Sequence, residues 1–301
     1  MRRAVWAVAL IATACATPGI APGEPELLAP GLISTDASEW NATFTANGRS
    51  AVFARSPEAD FENAGIWTTE QRGAGWTPPR PIGFTTPGRT DSDPQISSRG
   101  DQLLFVSNRP AGSPSGAPGK RDLDIWSSTL SGGRWSDPRP LPTVNGPGPE
   151  LGPEIHGDVL YFNTVRRGGP GALDIWSAPI SGALFGEPEP LPAPLNSAAS
   201  EGDFTLHPSG SLALFWSDRP GGLGEGDIYL SVRSGDAWGS PVNLGASVNS
   251  AAFDFTPSFS ADRRWLIFSS MRLRDGVNRR SDIYRIRVES VPALRNALAR
   301  R

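Results

Sequence analysis

The chain has 301 residues, of which 34 are Gly and 30 are Pro, so interruptions of helix and strand are frequent and long helical arrays are excluded. Apolar residues make up 38% and aromatics 9%, with 10 Trp, which suffices for a sizeable core in one or two domains and excludes a disordered linker. With 28 basic and 31 acidic residues the formal charge of -3 leaves no electrostatic footprint for nucleic acid, and one Cys with two His builds neither an internal disulfide nor a structural zinc site.

At the N-terminus, Arg2 and Arg3 precede an apolar run from Ala4 to Ala12, too short to span a bilayer and laid out as a secretory signal peptide. Cys15 follows in Ala12-Thr13-Ala14-Cys15, which resembles a bacterial lipoprotein processing box except at Ala12, where Leu is usual. The resemblance implies lipidation of Cys15; the alternative is ordinary cleavage between Ala12 and Ala16. Either way the mature chain is expected in the periplasm, and the lipid reading anchors it to the outer membrane. Loss of Arg2 and Arg3 makes the remainder more acidic, so a lipid would be the only membrane contact. Residues 16–23 read as a tether between this segment, residues 1–15, and the folded domain.

From residue 24 to 290 the chain repeats itself five times. One column runs Phe53, Phe105, Phe162, Phe215, Phe268, each inside a short apolar strand. A second runs Ile66-Trp67, Ile125-Trp126, Ile175-Trp176, Ile228-Tyr229 and Ile283-Tyr284. Ten residues beyond each of the first four Ile stands an aromatic (Trp76, Trp135, Phe185, Trp238), and three further on a Pro (Pro79, Pro138, Pro188, Pro241). An earlier strand centres on Phe44, Ile96, Ile155, Leu206 and Phe259, followed by turn signals such as Asn47-Gly48. Three strands per copy, with a fourth near the aromatic-x-x-Pro, are the content of a propeller blade.

The fifth copy lacks that fourth strand, and its tail, residues 291–301, reads as a short helix. Glu24-Pro25-Glu26-Leu27-Leu28-Ala29-Pro30-Gly31-Leu32 matches the third copy's Glu187 to Leu195 closely. Residues 24–34 are therefore expected to pair onto the last blade and close the ring, hiding edges that would invite aggregation. The predicted fold is an all-β, five-bladed β-propeller, with six blades as the lesser alternative.

Phe215-Trp-Ser-Asp-Arg-Pro-Gly-Gly to Gly226-Asp-Ile-Tyr-Leu, and Pro257-Ser-Phe-Ser-Ala-Asp-Arg-Arg-Trp-Leu-Ile-Phe-Ser-Ser, resemble the WD40-like β-propeller repeats of the TolB type. The resemblance implies a bacterial envelope protein that binds partners through its propeller. Against the best-known member the chain is expected to lack a separate N-terminal domain, and its residues are expected to leave no room for the peptidase or peptidoglycan-binding domains fused to other members.

Polar residues repeat too. Arg109, Arg166, Arg219 and Arg272 follow the strand Phe by four, and Asp124, Asp174, Asp227 and Asp282 precede the later Ile; the first copy has Pro57 and Gly65 in these places. Their joint loss in one copy predicts structural Arg to Asp pairs within blades. A second acidic column, Glu39, Asp91, Glu150, Glu201 and Asp254, is complete. Two readings stay open for it: caps on backbone N–H groups, or an anionic ring at the channel mouth that binds a basic partner or Ca2+. No other cofactor and no metal ligand set is expected: His156 and His207 share a column without further ligands, and Asp91-Ser-Asp93 and Asp122-Leu-Asp124 lack the rest of a calcium loop. The Trp column reads as packing between blades rather than a sugar platform. The second copy carries an insertion in Ala111 to Lys120, of the kind that rims propellers.

No nucleophile elbow, zinc-protease helix or sialidase box is present. The expected function is a non-enzymatic, monomeric envelope scaffold that holds a protein or cell-wall glycan; the alternative is a carbohydrate-active propeller, either glycosidase or lectin.

Overall fold

The computed structural model describes residues 23–59, 61–73, 75–85, 88–110, 123–274 and 280–299. The signal segment, Cys15, nearly all of the tether and the 111–120 insertion lie outside them. Alternating patterns and turn glycines produce five antiparallel sheets arranged as a ring. The inner strands are Ser38–Phe44, Asp91–Ile96, Glu150–His156, Glu201–Leu206 and Asp254–Phe259 in blades 1 to 5. The middle strands are Ser50–Ser56, Gln102–Ser107, Val159–Thr164, Leu212–Ser217 and Trp265–Ser270. The third strands are Gly65–Arg72, Asp124–Ser131, Asp174–Ser181, Asp227–Ser234 and Asp282–Arg287.

In blades 1 to 4 the outer strand is broken into two short pieces, such as Gly75–Trp76 and Arg80–Pro81, both paired with the third strand. The proline between the pieces has no N–H to give a ladder, so the strand breaks around the aromatic-x-x-Pro. Blade 5 takes its outer strand from the other end of the chain: Glu26–Leu27 pairs antiparallel with Arg285 and Tyr284. The ring closes as the sequence implies, with five blades. The Glu26 carboxylate accepts from Arg285 Nε at 2.7 Å across the seam, and Leu28, 3% exposed, enters the core behind it. The helix Pro292–Ala299 packs Leu294 into the core between blades 4 and 5.

The core is divided among the blade interfaces. Phe53, Phe105, Phe162, Phe215 and Phe268 are essentially unexposed, and each joins the cluster shared with the preceding blade. Trp76, Trp135, Phe185 and Trp238 pack half-buried against these clusters.

Every inner strand carries a one-residue bulge at the same place, between Trp40 and Thr43 in blade 1 and at the equivalent positions of the others. The bulge residues Asn41, Asp93, Gly152, Asp203 and Thr256 all have φ between 46° and 55°, and only one is glycine. A Cβ on Gly152 would meet Asn163 Oδ1 and Asp203 Oδ1 at 2.6 Å each. Five left-handed residues thus ring the waist of the central channel.

Leu28→Ala is expected to cost about 2–5 kcal/mol in urea unfolding, the range for a buried leucine, because it loosens the seam; an unchanged midpoint would mean that the N-terminal strand does not hold the ring shut.

Candidate functional site

The repeated arginines and carboxylates come first, because they decide what is left to face the channel. Glu39, Asp91, Glu150, Glu201 and Asp254 are all 0% exposed. Each accepts an ion pair from an arginine of its own blade: Arg55 at 2.8 Å, Arg109 at 2.7 Å, Arg166 at 2.7 Å, Arg219 at 3.1 Å and Arg272 at 2.8 Å. The guanidinium lies 4.8–5.4 Å from the centroids of the strand Phe and of the Trp or Tyr beside it. The second carboxylate oxygen accepts the backbone N–H four residues upstream, from Thr35, Gly146, Ser197 and Ser250. In blade 2 that position in the sequence is Pro87, which has no N–H, and among the described residues Asp91 Oδ2 has no hydrogen-bond partner.

Two expectations are corrected by this arrangement. The arginines Arg109, Arg166, Arg219 and Arg272 pair with the inner-strand acids rather than with Asp124, Asp174, Asp227 and Asp282, because the inner strand and the end of the middle strand are register neighbours. Asp174 accepts from Gly171 N–H, Asp227 from Leu223 N–H and Asn243 Nδ2, and Asp282 from Arg274. Blade 1, which has Pro57 and Gly65, keeps its pair because Arg55 supplies the guanidinium from two residues earlier. The acidic column forms no anionic ring either: its carboxylates are enclosed caps, and none lines the channel. Burial raises the pKa of Glu39 and Glu150 despite their arginines, so desolvation outweighs the attraction there.

Two cavities fill the channel, and both are walled in part by Asp203 and Thr256 at the waist. One, of 440 Å3, is lined by the far ends of the inner strands, with Glu154 and His156; Thr205 Oγ1 donates to Glu154 Oε1 at 3.2 Å. His207 stacks edge-to-face on Phe259 and joins Ser209 through Nδ1, so the two histidines do not converge on a shared ligand. Among the described residues no group of three or more His, Cys, Asp or Glu is placed to hold a metal ion.

The other cavity, of 540 Å3, opens at the start of the inner strands. Its wall carries an arc of aromatic rings in edge-to-face or stacked contact: Trp40, Phe61, Phe255, Phe253 and Trp216, with centroids 4.6–5.9 Å apart. The arc ends in two indoles, each tied to a waist carboxylate. Trp40 Nε1 donates to Asp93 Oδ1 at 3.0 Å, and the Trp216 side chain donates to Asp203. The other oxygens serve the bulges: Gly152 N–H donates to Asp93 Oδ2 at 3.3 Å, and Thr256 N–H to Asp203 Oδ2 at 3.2 Å. A bulge orphans its own N–H, and the carboxylate of the preceding blade accepts it.

Asp93 and Asp203 therefore flank Gly152 while keeping an edge toward the channel. Burial raises both, and the charge of Asp93 adds to the effect on Asp203, which is pushed up to about 8. Glu154 is pushed up to about 7, also by burial. The sequence signal for this pair was the bulge column itself, two residues past the acidic column, where Asp occurs twice among Asn, Gly and Thr.

Arg166→Met is expected to destabilise the chain by about 3–5 kcal/mol, since Glu150 stays buried without its cation, whereas Asp174→Ala should cost less in the same denaturation; equal losses would return structural weight to the third-strand aspartates. For Asp203 the folded state favours the proton, so its stabilisation is full below the ordinary 3.8 and is lost as pH rises through about 8. Melting temperature should fall across that window, and Asp203→Asn should flatten the fall; an identical pH profile in the variant would refute the assignment.

The chain matches no protein-family model and no curated protein. Among solved structures it is similar to a thermostable family-43 glycoside hydrolase (TM-score 0.55, 9% identity, covering 83% of this chain and 89% of that one). It is also similar to TolB from Acinetobacter baumannii (TM-score 0.52, 14% identity, 83% of this chain and 55% of that one) and to an alpha-L-arabinofuranosidase from Lactobacillus brevis (TM-score 0.52, 10% identity, 83% and 90%). The chain thus spans about half the length of that TolB. At these identities the likeness is one of fold, shared by TolB and by glycoside-hydrolysing propellers alike.

Proposed function

We propose that the chain is a binding scaffold of the bacterial envelope, which receives a protein or cell-wall partner at the aromatic mouth of its channel. The observation that carries this reading is the 540 Å3 cavity with its five-ring arc and two convergent carboxylates, a concave apolar site with few placed polar groups. Rings held edge to face by their neighbours offer contact area at little entropic cost, as binding surfaces do. The waist carboxyls support binding over turnover because each already accepts an indole N–H and a backbone N–H, which fixes its position. The N-terminal segment, read as an export signal with Cys15 as lipid attachment point, supports the envelope location.

Phe61→Ala combined with Phe253→Ala removes two half-buried rings from the arc, outside the blade-interface cores. In crosslinking from the host envelope the wild type should capture a partner and the double variant should lose most of that capture; undiminished capture by a folded variant would move the site to the loops.

A second reading, a glycosidase, is favoured by one observation: Asp203, held protonated up to about 8, stands near a second waist carboxylate, and glycoside hydrolysis needs two carboxyl groups in unlike states. Turnover of aryl glycosides abolished by Asp203→Asn would select it.

A further inference from the structure

Outside the channel mouth, the chain shows five times over what it does with a carboxylate set against aromatic rings. In each blade the inner-strand acid and two rings enclose a guanidinium, from Arg55, Arg109, Arg166, Arg219 and Arg272. The mouth holds the same ingredients in greater number, the carboxyls of Asp93 and Asp203 at the waist, Glu62 on the same wall, and five rings. Among the described residues, however, no Arg or Lys lines that cavity, none lies over any of the five rings, and neither Asp93 nor Asp203 makes an ion pair. We infer that the mouth is a receptor for an organic cation, the guanidinium or ammonium of an Arg or Lys side chain presented on an extended segment of the partner. This rests on the binding reading above and names the chemistry of its ligand.

The geometry suits that occupant. A cation entering between Asp93 and Asp203 meets two carboxyl groups set about Gly152, whose N–H donates to Asp93 and whose α-carbon lies beside Asp203 Oδ1. Its charge takes the place of the proton that burial and their mutual repulsion favour on the two carboxyls, which are held by Trp40, Trp216 and the bulge N–H groups and, among the described residues, by no counter-charge. The rings add attraction through their faces, strongest for Trp and stronger once water is excluded. A guanidinium fits best, because its plane stacks on aromatics while its donors fork to carboxylates. The cavity volume of 540 Å3 lies within the range of sites that take a side chain with some flanking backbone. Asn63 and the side-chain NH2 of Asn108, on the same wall, offer hydrogen bonds to that backbone, whereas Asn163 is buried and accepts from Asp203 N–H.

The test uses the whole chain and four blocked pentapeptides, acetyl-Gly-Gly-X-Gly-Gly-amide, with X as Arg, Lys, citrulline or norleucine, followed by tryptophan fluorescence and amide chemical shifts. Citrulline keeps the shape of Arg without its charge. The Arg peptide should bind at least about tenfold more tightly than the citrulline one, a difference of 1.4 kcal/mol. Added salt should narrow the gap, and Lys should fall on the Arg side of the neutral pair. In Asp93→Asn with Asp203→Asn the preference should vanish while the protein still melts cooperatively. Should that variant fail to fold, Phe253→Ala tests the rings separately and should weaken Arg and Lys together. Equal binding of Arg and citrulline peptides, or a charge preference that survives both Asn substitutions, overturns the inference. If envelope capture still depends on Phe61 and Phe253 in that event, the scaffold reading stands and only the ligand class is wrong. If capture does not depend on them, both fail.

Discussion

The buried pair of arginine and inner-strand carboxylate is the constraint on which the rest of this propeller depends. Burying either charge alone would cost several kcal/mol, so the two must meet wherever the fold places one of them. The carboxylate does more than neutralise. Its second oxygen caps the loop arriving from the preceding blade in four of the five blades, and its own backbone N–H bonds to the residue just ahead of the preceding blade's third strand: Ser281, Ala64, Leu123, Leu173 and Gly226. One residue, through side chain and backbone together, thus fixes a middle strand, a loop and a neighbouring blade. The guanidinium over the strand Phe joins this polar unit to the apolar interface, so charge pairing and core packing act on the same joint.

That unit also explains how the channel acquires its chemistry. Because the repeat-wide acids are consumed in the joints, the lumen is furnished by the next repeated position, the bulge, where the backbone conformation is imposed and the side chain varies. Asn, Asp, Gly, Asp and Thr at the five bulges give the ring a polar waist without symmetry. The cost of a left-handed residue is borne four times, by Asn41, Asp93, Asp203 and Thr256, and each is held by a contact from the preceding blade or from its own. Strain and specificity therefore coincide at the waist, while the interfaces around it stay nearly equivalent.

The fold was largely legible in the sequence, since period, strand Phe, Ile-aromatic pair and the matching N-terminal segment all follow from backbone hydrogen bonding and burial, which act at fixed spacing. The arginine partners were not, because spacing along the chain does not say which of two acidic columns lies across the sheet; the pairing depends on the register of inner and middle strands. Arg55 escaped for a related reason, since a guanidinium on a long stem reaches one carboxylate from two different positions. The channel site was hidden by its irregularity: Phe61 and Phe253 lie in loops, Trp216 in a middle strand, Trp40 in an inner strand, and only closure of the ring brings blades 4, 5 and 1 together around them.

The seam has a temporal meaning as well. Glu26 and Arg285 are joined across almost the whole chain, so the contact that shuts the ring has nearly the longest loop the molecule can form and can be made only when the fifth blade exists. Until then four blades stand with an uncovered interface at each end, and the aromatic arc, which draws on blades at both sides of the seam, is still in two parts. Ring closure and completion of the channel mouth are consequently one event, and a chain caught before it has neither a protected edge nor a place for its ligand.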